Sequence, residues 1–204
     1  MKSKLLIGLL LLCFLADQIC IYFGLTEFRF FTKLILIPLL LAHYLVFSRS
    51  KNWLFILGLI FSFFGDLFLL FKWGFLFGLG SFFLAHLFYI FAFKQFKTTN
   101  PKKLILLLGI YLSVLLMVLF PYLKEMKIPV ICYGIVISVM LYFAVATKDQ
   151  KLIIGGLLFV ISDTILSLRL FMLENVILDL LVMFTYVLAQ YFLVKGMTNK
   201  KVLH

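Results

Sequence analysis

Charge is scarce in this sequence. Only 13% of its 204 residues are Asp, Glu, Lys or Arg, and just eight are acidic. A soluble domain carries nearer a quarter, so that class is excluded. Histidine is scarcer still, with three residues and no His-Glu-x-x-His or paired-His motif. A zinc site therefore lacks obvious ligands, and no metal is expected. The three cysteines, Cys13, Cys20 and Cys132, fall singly inside apolar runs. They give neither a disulfide framework nor a ligand spacing, and they read as small packing residues. Long polar stretches are missing too. The longest connection, Lys94 to Lys103, is too short for a soluble domain, so one membrane-embedded domain over residues 1–204 is expected. No small-x-small cleavage site follows Lys2 and Lys4, which makes the first apolar run an uncleaved helix.

What is present is hydrocarbon. The chain is 65% hydrophobic with a mean hydropathy of +1.21. Barrel strands alternate apolar and polar and give a far weaker signal, so the expected class is an all-α polytopic membrane protein. A spanning helix needs about 20 mostly apolar residues. Eight windows qualify, some of them short: 5–24, 32–47, 53–71, 75–93, 104–123, 129–147, 152–172 and 176–195.

The net charge of +11 does not point to nucleic acid. The basic residues lie in short connections rather than along one soluble face. With eight spans, 13 of the 19 Lys and Arg fall on the side holding both termini and six on the other. Positive charge stays inside, so both termini are expected in the cytoplasm, with a bacterial inner membrane as the expected location.

Against this background two aspartates stand out. Asp66 and Asp163 sit inside apolar spans, where an ionised carboxylate costs at least a few kcal/mol and usually marks a cavity or reaction site. Their settings match: Gly65-Asp66-Leu67-Phe68-Leu69 and Ser162-Asp163-Thr164-Ile165-Leu166 both run small residue, Asp, two residues, Leu. Both lie roughly 17–20 Å from the cytoplasmic boundary at 1.5 Å per residue. Two close carboxyls cannot both ionise cheaply, so they share a proton and supply acid and base together.

Asp17 and His86 lie at similar depth. Asp17 belongs to the same cavity or pairs with Lys33. His86, with Tyr89 three residues on, orients substrate, relays protons or bonds an Asp. Ser62 precedes Asp66 by one turn and Ser167 follows Asp163 by one, although serines also bond their own helix backbone. Tyr186 and Gln190 share a face of the last span as hydrogen-bond donors or interhelical ties. Lys33, Arg29, Arg169 and Lys72 lie toward the outer side, where holding a phosphate headgroup and snorkelling to the interface are both open. Leu84-Ala85-His86-Leu87-Phe88 resembles Leu188-Ala189-Gln190-Tyr191-Phe192. With the two Asp motifs, this suggests a 4+4 parallel pseudo-repeat.

The chain resembles the YhhN family of membrane proteins, whose characterised members are lysoplasmalogenases. Four stretches carry the likeness: Thr32-Lys33 leading to Pro38; Gly65 to Leu70; Gly78 through Ser81-Phe82 to Ala85-His86-Leu87-Phe88-Tyr89; and Phe159-x-x-Ser162-Asp163 followed by Thr185-Tyr186 and Ala189-Gln190. Family members often have Lys and Pro adjacent in the second span, whereas Lys33 and Pro38 are separated here. The resemblance implies hydrolysis of the vinyl ether bond of a lysoplasmalogen, a lysophospholipid of the membrane. The products are a fatty aldehyde and a glycerophospho-alcohol, glycerophosphoethanolamine or glycerophosphocholine. Read with that chemistry, Asp66 and Asp163 are the expected catalytic pair, with neither chosen as the acid; His86, Tyr89, Lys33, Tyr186, Gln190 and Asp17 are expected in supporting roles, and no cofactor is expected. From the residues alone, a proton-coupled solute transporter, a lipid-binding scaffold and a metal hydrolase stay open.

Overall fold

A computed structural model describes residues 2–200. Within them the protein is helical, with no strand: α1 (Lys2–Tyr22), α2 (Thr26–Leu34), α3 (Leu36–Phe47), α4 (Trp53–Phe68), α5 (Phe75–Lys94), α6 (Lys102–Leu119), α7 (Lys127–Ala146), α8 (Gln150–Phe171) and α9 (Val176–Thr198). Seven segments are long and apolar enough to cross a membrane, with α2 and α3 counted together as Thr26–Phe47. The α4 helix is apolar but only 16 residues long, about 24 Å at 1.5 Å per residue.

Local chemistry explains the boundaries. Helix α1 ends at Gly24, whose φ of +67° sets a left-handed residue. The Leu25 amide bonds back to the Cys20 carbonyl at 2.8 Å and the Gly24 amide to the Ile21 carbonyl at 3.2 Å, which closes the last carbonyls of the helix. Asn52, Asp149 and Asn175 cap the starts of α4, α8 and α9 by accepting from backbone amides of the first turn, as such side chains do.

The second apolar window is a broken helix. It begins at Thr26, six residues before the window of 32–47, and breaks at Ile35. Pro38 explains the break: it has no amide to donate, and its ring crowds the carbonyl four residues back, at Leu34. Such interruptions are tolerated in membranes where they line a cavity or are buried in protein.

The helices pack as a ring. The order of neighbours is α3, α4, α5, α7, α8 and α9, and α9 returns to α3. Helix α1 lies outside against α3 and α9, and α6 lies outside against α7 and α8. Of α6 only Leu108 and Leu119 are buried. Close approach uses small residues, as is usual where lipid removes the hydrophobic drive between helices. A Cβ at Gly155 of α8 would meet Leu193 of α9 at 2.7 Å, and one at Gly65 of α4 would meet the Phe82 ring of α5 at 2.6 Å. The core of the ring holds Tyr44, Phe55, Leu59, Tyr89, Phe93, Phe159 and Leu193, all fully buried.

Candidate active site

Asp66 lies in the last turn of α4, where Gly65 lets Phe82 close against the helix. Its side chain is 4% exposed, and both oxygens are engaged. Oδ1 sits 3.2 Å from the Lys33 ammonium, and Oδ2 accepts from the Tyr186 hydroxyl at 2.6 Å. Lys33 comes from the last turn of α2, immediately before the break, and is itself 6% exposed. The sequence leaves headgroup contact, snorkelling and pairing with Asp17 open for Lys33; in the structure its acidic partner is Asp66, and it lines a cavity. The amine points inward to a carboxylate, and a buried pair of this kind repays desolvation only when well bonded.

Asp163 lies in α8 and accepts a hydrogen bond from the Tyr133 hydroxyl of α7 at Oδ2. No Lys, Arg or His forms an ion pair with it among the described residues. The two aspartates line one cavity of about 130 Å³, together with Arg29, Lys33, Arg169 and Asp179. This is room for several waters. Arg169 closes one wall by pairing with Asp179 across α8 and α9, with Nε 2.9 Å from Oδ1 and Nη2 3.0 Å from Oδ2.

A second cavity, of about 50 Å³, shares a wall with the first. It is lined by Phe75, Leu79, Val130 and Phe171, with Asp163, Phe82 and Leu166 in the common wall. Asp66 does not reach it. The site therefore has a charged compartment and an apolar compartment, and Asp163 faces both.

The YhhN family profile matches residues 28–197. The chain belongs to the YhhN family. Human lysoplasmalogenase TMEM86B is 34% identical to it over 183 residues, covering 84% of this chain and 79% of the human protein. No solved structure matches it significantly. The matched span contains Lys33, Asp66, Asp163 and Tyr186 of the charged compartment, while Asp17 falls outside it.

The remaining residues singled out from the sequence divide into those near the cavity and those removed from it. Asp17 is fully buried but does not line the cavity. Its Oδ1 accepts from Thr32 at 3.0 Å and lies 3.9 Å from the Arg29 Nε, so its basic neighbour is Arg29 rather than Lys33. His86 is fully buried, with Nδ1 2.6 Å from the Phe82 carbonyl. A carbonyl only accepts, so Nδ1 carries the proton and Nε2 is left as an acceptor with no partner among the described residues. The ring packs edge-on against Phe159 and Tyr133, so His86 meets the cavity walls through Phe82 and Tyr133 rather than lining them. Tyr89 and Gln190 lie one turn away in a closed network. The Tyr89 hydroxyl donates to Gln190 Oε1 at 2.9 Å, and Gln190 Nε2 donates to Ser62 Oγ at 3.0 Å. Ser62 in turn donates to the Gly58 carbonyl at 2.9 Å. Ser167 donates to its own helix, at Thr164.

Two residues of the site went unnoticed in the sequence. Tyr133 carries a signal that was available: a phenol inside a span needs a partner for its hydroxyl. Asp179 opens the last span and looks like a helix-start acid; nothing in the sequence pairs it with Arg169.

Proposed function

We propose that this YhhN protein hydrolyses the vinyl ether bond of a lysoplasmalogen, releasing a fatty aldehyde and a glycerophospho-alcohol. The observation that carries the reading is the position of Asp163, a carboxyl on the common wall of a charged and an apolar cavity. In the substrate, the vinyl ether is likewise the junction between the glycerophosphate and the chain. The resemblance to human lysoplasmalogenase TMEM86B supports the same substrate class.

Asp163 acts as the acid and Asp66 as the standing carboxylate. Asp66 has the Lys33 ammonium beside it, whereas Asp163 makes no ion pair among the described residues and is held by a phenol. Protonated Asp163 delivers its proton to the β-carbon of the vinyl ether, and the ether oxygen shares the resulting positive charge as an oxocarbenium ion. The ionised carboxylates stabilise this cation, the task that paired carboxyls perform in glycoside hydrolysis. A water of the charged compartment then adds to the α-carbon and gives its proton to a carboxylate. The hemiacetal collapses as the glycerol oxygen takes a proton and the hydroxyl releases one. The sum is one water consumed, an aldehyde and an alcohol formed, and both carboxyls restored. The apolar cavity takes the carbons next to the double bond, and the rest of the chain stays in lipid.

The finer topology belongs to this proposal. Helix α4 serves as an eighth crossing, which puts both termini on the cytoplasmic side and the charged compartment toward the outer face. The order of neighbours supports a 4+4 duplication within a single domain: α1–α3–α4–α5 pack in sequence as α6–α7–α8–α9 do, and α5 meets α7 as α9 meets α3.

The test is aldehyde release from a lysoplasmenyl-ethanolamine by detergent-purified protein, with Asp66→Asn and Asp163→Asn alongside. Aldehyde from the wild type and a loss of at least about 100-fold in each variant is expected. Folded wild type without aldehyde release, or near-normal turnover in either variant, overturns the reading.

A further inference from the structure

The charged cavity has three cations and three carboxyls in its walls. Four of these six groups are matched in pairs, Lys33 with Asp66 and Arg169 with Asp179. Of the other two, Asp163 makes no ion pair among the described residues, and Arg29 meets only Asp17, a carboxylate outside the cavity. Arg29 stands on α2, one turn before Lys33, with its side chain 24% exposed. Its Nε is shielded from solvent and makes no hydrogen bond among the described residues. The nearest carboxylate oxygen, on Asp17, is 3.9 Å away and already accepts from Thr32. A guanidinium with uncommitted donors beside a polar cavity is the group best suited to a phosphate, because its planar fork offers two parallel N–H bonds to two oxygens.

We propose that Arg29 is the phosphate anchor of this cavity, holding the phosphodiester of the lysophospholipid headgroup so that the chain end of the glycerol reaches Asp163. The assignment rests on the hydrolase reading for its substrate. It divides the two charges of the cavity that have no partner within its walls between the two ends of the same molecule. Arg29 becomes the residue that selects phosphorylated over unphosphorylated 1-alkenyl glycerols.

The experiment compares kcat/KM on a 1-alkenyl-glycerophosphoethanolamine and on the matching 1-alkenylglycerol, in the same micelles. The variants are Arg29→Lys and Arg29→Met, the latter also combined with Asp17→Asn so that no buried carboxylate is left alone. Removing a charge-assisted hydrogen bond costs about 10- to 100-fold. We expect Arg29→Met to lose that much more on the phosphorylated substrate than on the alkenylglycerol, mostly in KM. Arg29→Lys, which keeps charge without the fork, falls between. Equal losses on both substrates, or none on either, overturn the anchor. If the wild type releases aldehyde from neither substrate, the hydrolase reading fails, and thermal shift with added ligand decides the anchor alone. Stabilisation of the wild type by glycerophosphoethanolamine, lost in Arg29→Met, supports it. Equal stabilisation by inorganic phosphate assigns the site to free phosphate and overturns the headgroup assignment, as does stabilisation by neither.

Discussion

Two polar layers lie one helical turn apart on the same helices, and they are built in opposite ways. Helix α4 contributes Ser62 to one and Asp66 to the other; α9 contributes Gln190 and Tyr186. In the Ser62–Tyr89–Gln190 layer each donor finds an acceptor within the protein, and none of the three residues lines the charged cavity. In the Asp66–Asp163 layer the charges are paired less closely: among the described residues Asp163 makes no ion pair, and Arg29 meets a carboxylate only at 3.9 Å, both beside a cavity. Buried polar groups in membranes are held to full pairing by the cost of leaving them bare. In the proposed function, it is the substrate that completes the Asp66–Asp163 layer. Depth and residue type alone do not separate these layers; pairing does.

The comparison breaks most sharply at Asp163. Asp163→Asn keeps the shape and the Tyr133 contact but removes the transferable proton. Turnover is expected to fall by about 10²- to 10⁴-fold, the range of a general acid, while the melting temperature in detergent stays close to wild type. A variant that melts early instead would put Asp163 with the closed layer.

Lys33→Met tests how far the open layer holds itself together. It leaves the Asp66 carboxylate buried without its cation, a change that costs about 3–5 kcal/mol. Adding Asp66→Asn to Lys33→Met removes the orphaned charge and is expected to restore most of that stability. A double-mutant cycle on thermal unfolding measures the coupling directly, and additive losses would show that the two side chains do not act as a pair.

The closed layer is expected to respond in stability. Gln190→Leu strips the Tyr89 hydroxyl of its acceptor and Ser62 of a donor. Interhelical hydrogen bonds in membranes average less than those in water-soluble cores, so the loss is about 1 kcal/mol. Turnover per folded molecule is expected to drop far less than in Asp163→Asn. A comparable drop would place Gln190 within reach of substrate.

Much of this was legible from residue chemistry. The spans followed from hydrophobic length, and the two aspartates from the cost of charge in lipid. The partners of those aspartates were not legible. Lys33 looks like an outer-face lysine when its window begins at residue 32; the helix in fact begins six residues earlier, at Thr26, and its break at Ile35 turns Lys33 inward instead. Asp66 likewise looked central in a window reaching to residue 71, yet α4 stops at Phe68, so it sits near the helix end, where Lys33 can reach it. Ser62 sits one turn from Asp66, and spacing alone could not show that its hydroxyl bonds backward to Gly58. Each of these outcomes depends on a helix end or a neighbouring helix, which periodicity along one helix does not encode.

The finest distinction lies inside the open layer, between its two tyrosines. Each carboxyl accepts from one phenol, Asp66 from Tyr186 and Asp163 from Tyr133. Asp66 has a second support in Lys33 and Asp163 has none, so the two hydroxyls are not equivalent although the contacts look alike. Losing Tyr133 leaves Asp163 with no hydrogen bond among the described residues to fix its carboxyl plane against the reacting carbon. Losing Tyr186 leaves Asp66 tethered by the ion pair. With a hydrogen bond contributing on the order of 1 kcal/mol, Tyr133→Phe is expected to lower kcat about 10-fold and Tyr186→Phe about 3-fold. Equal losses, measured as single-turnover aldehyde release, would mean that the lysine does not distinguish the two carboxyls, and the assignment of acid to Asp163 would fail with it.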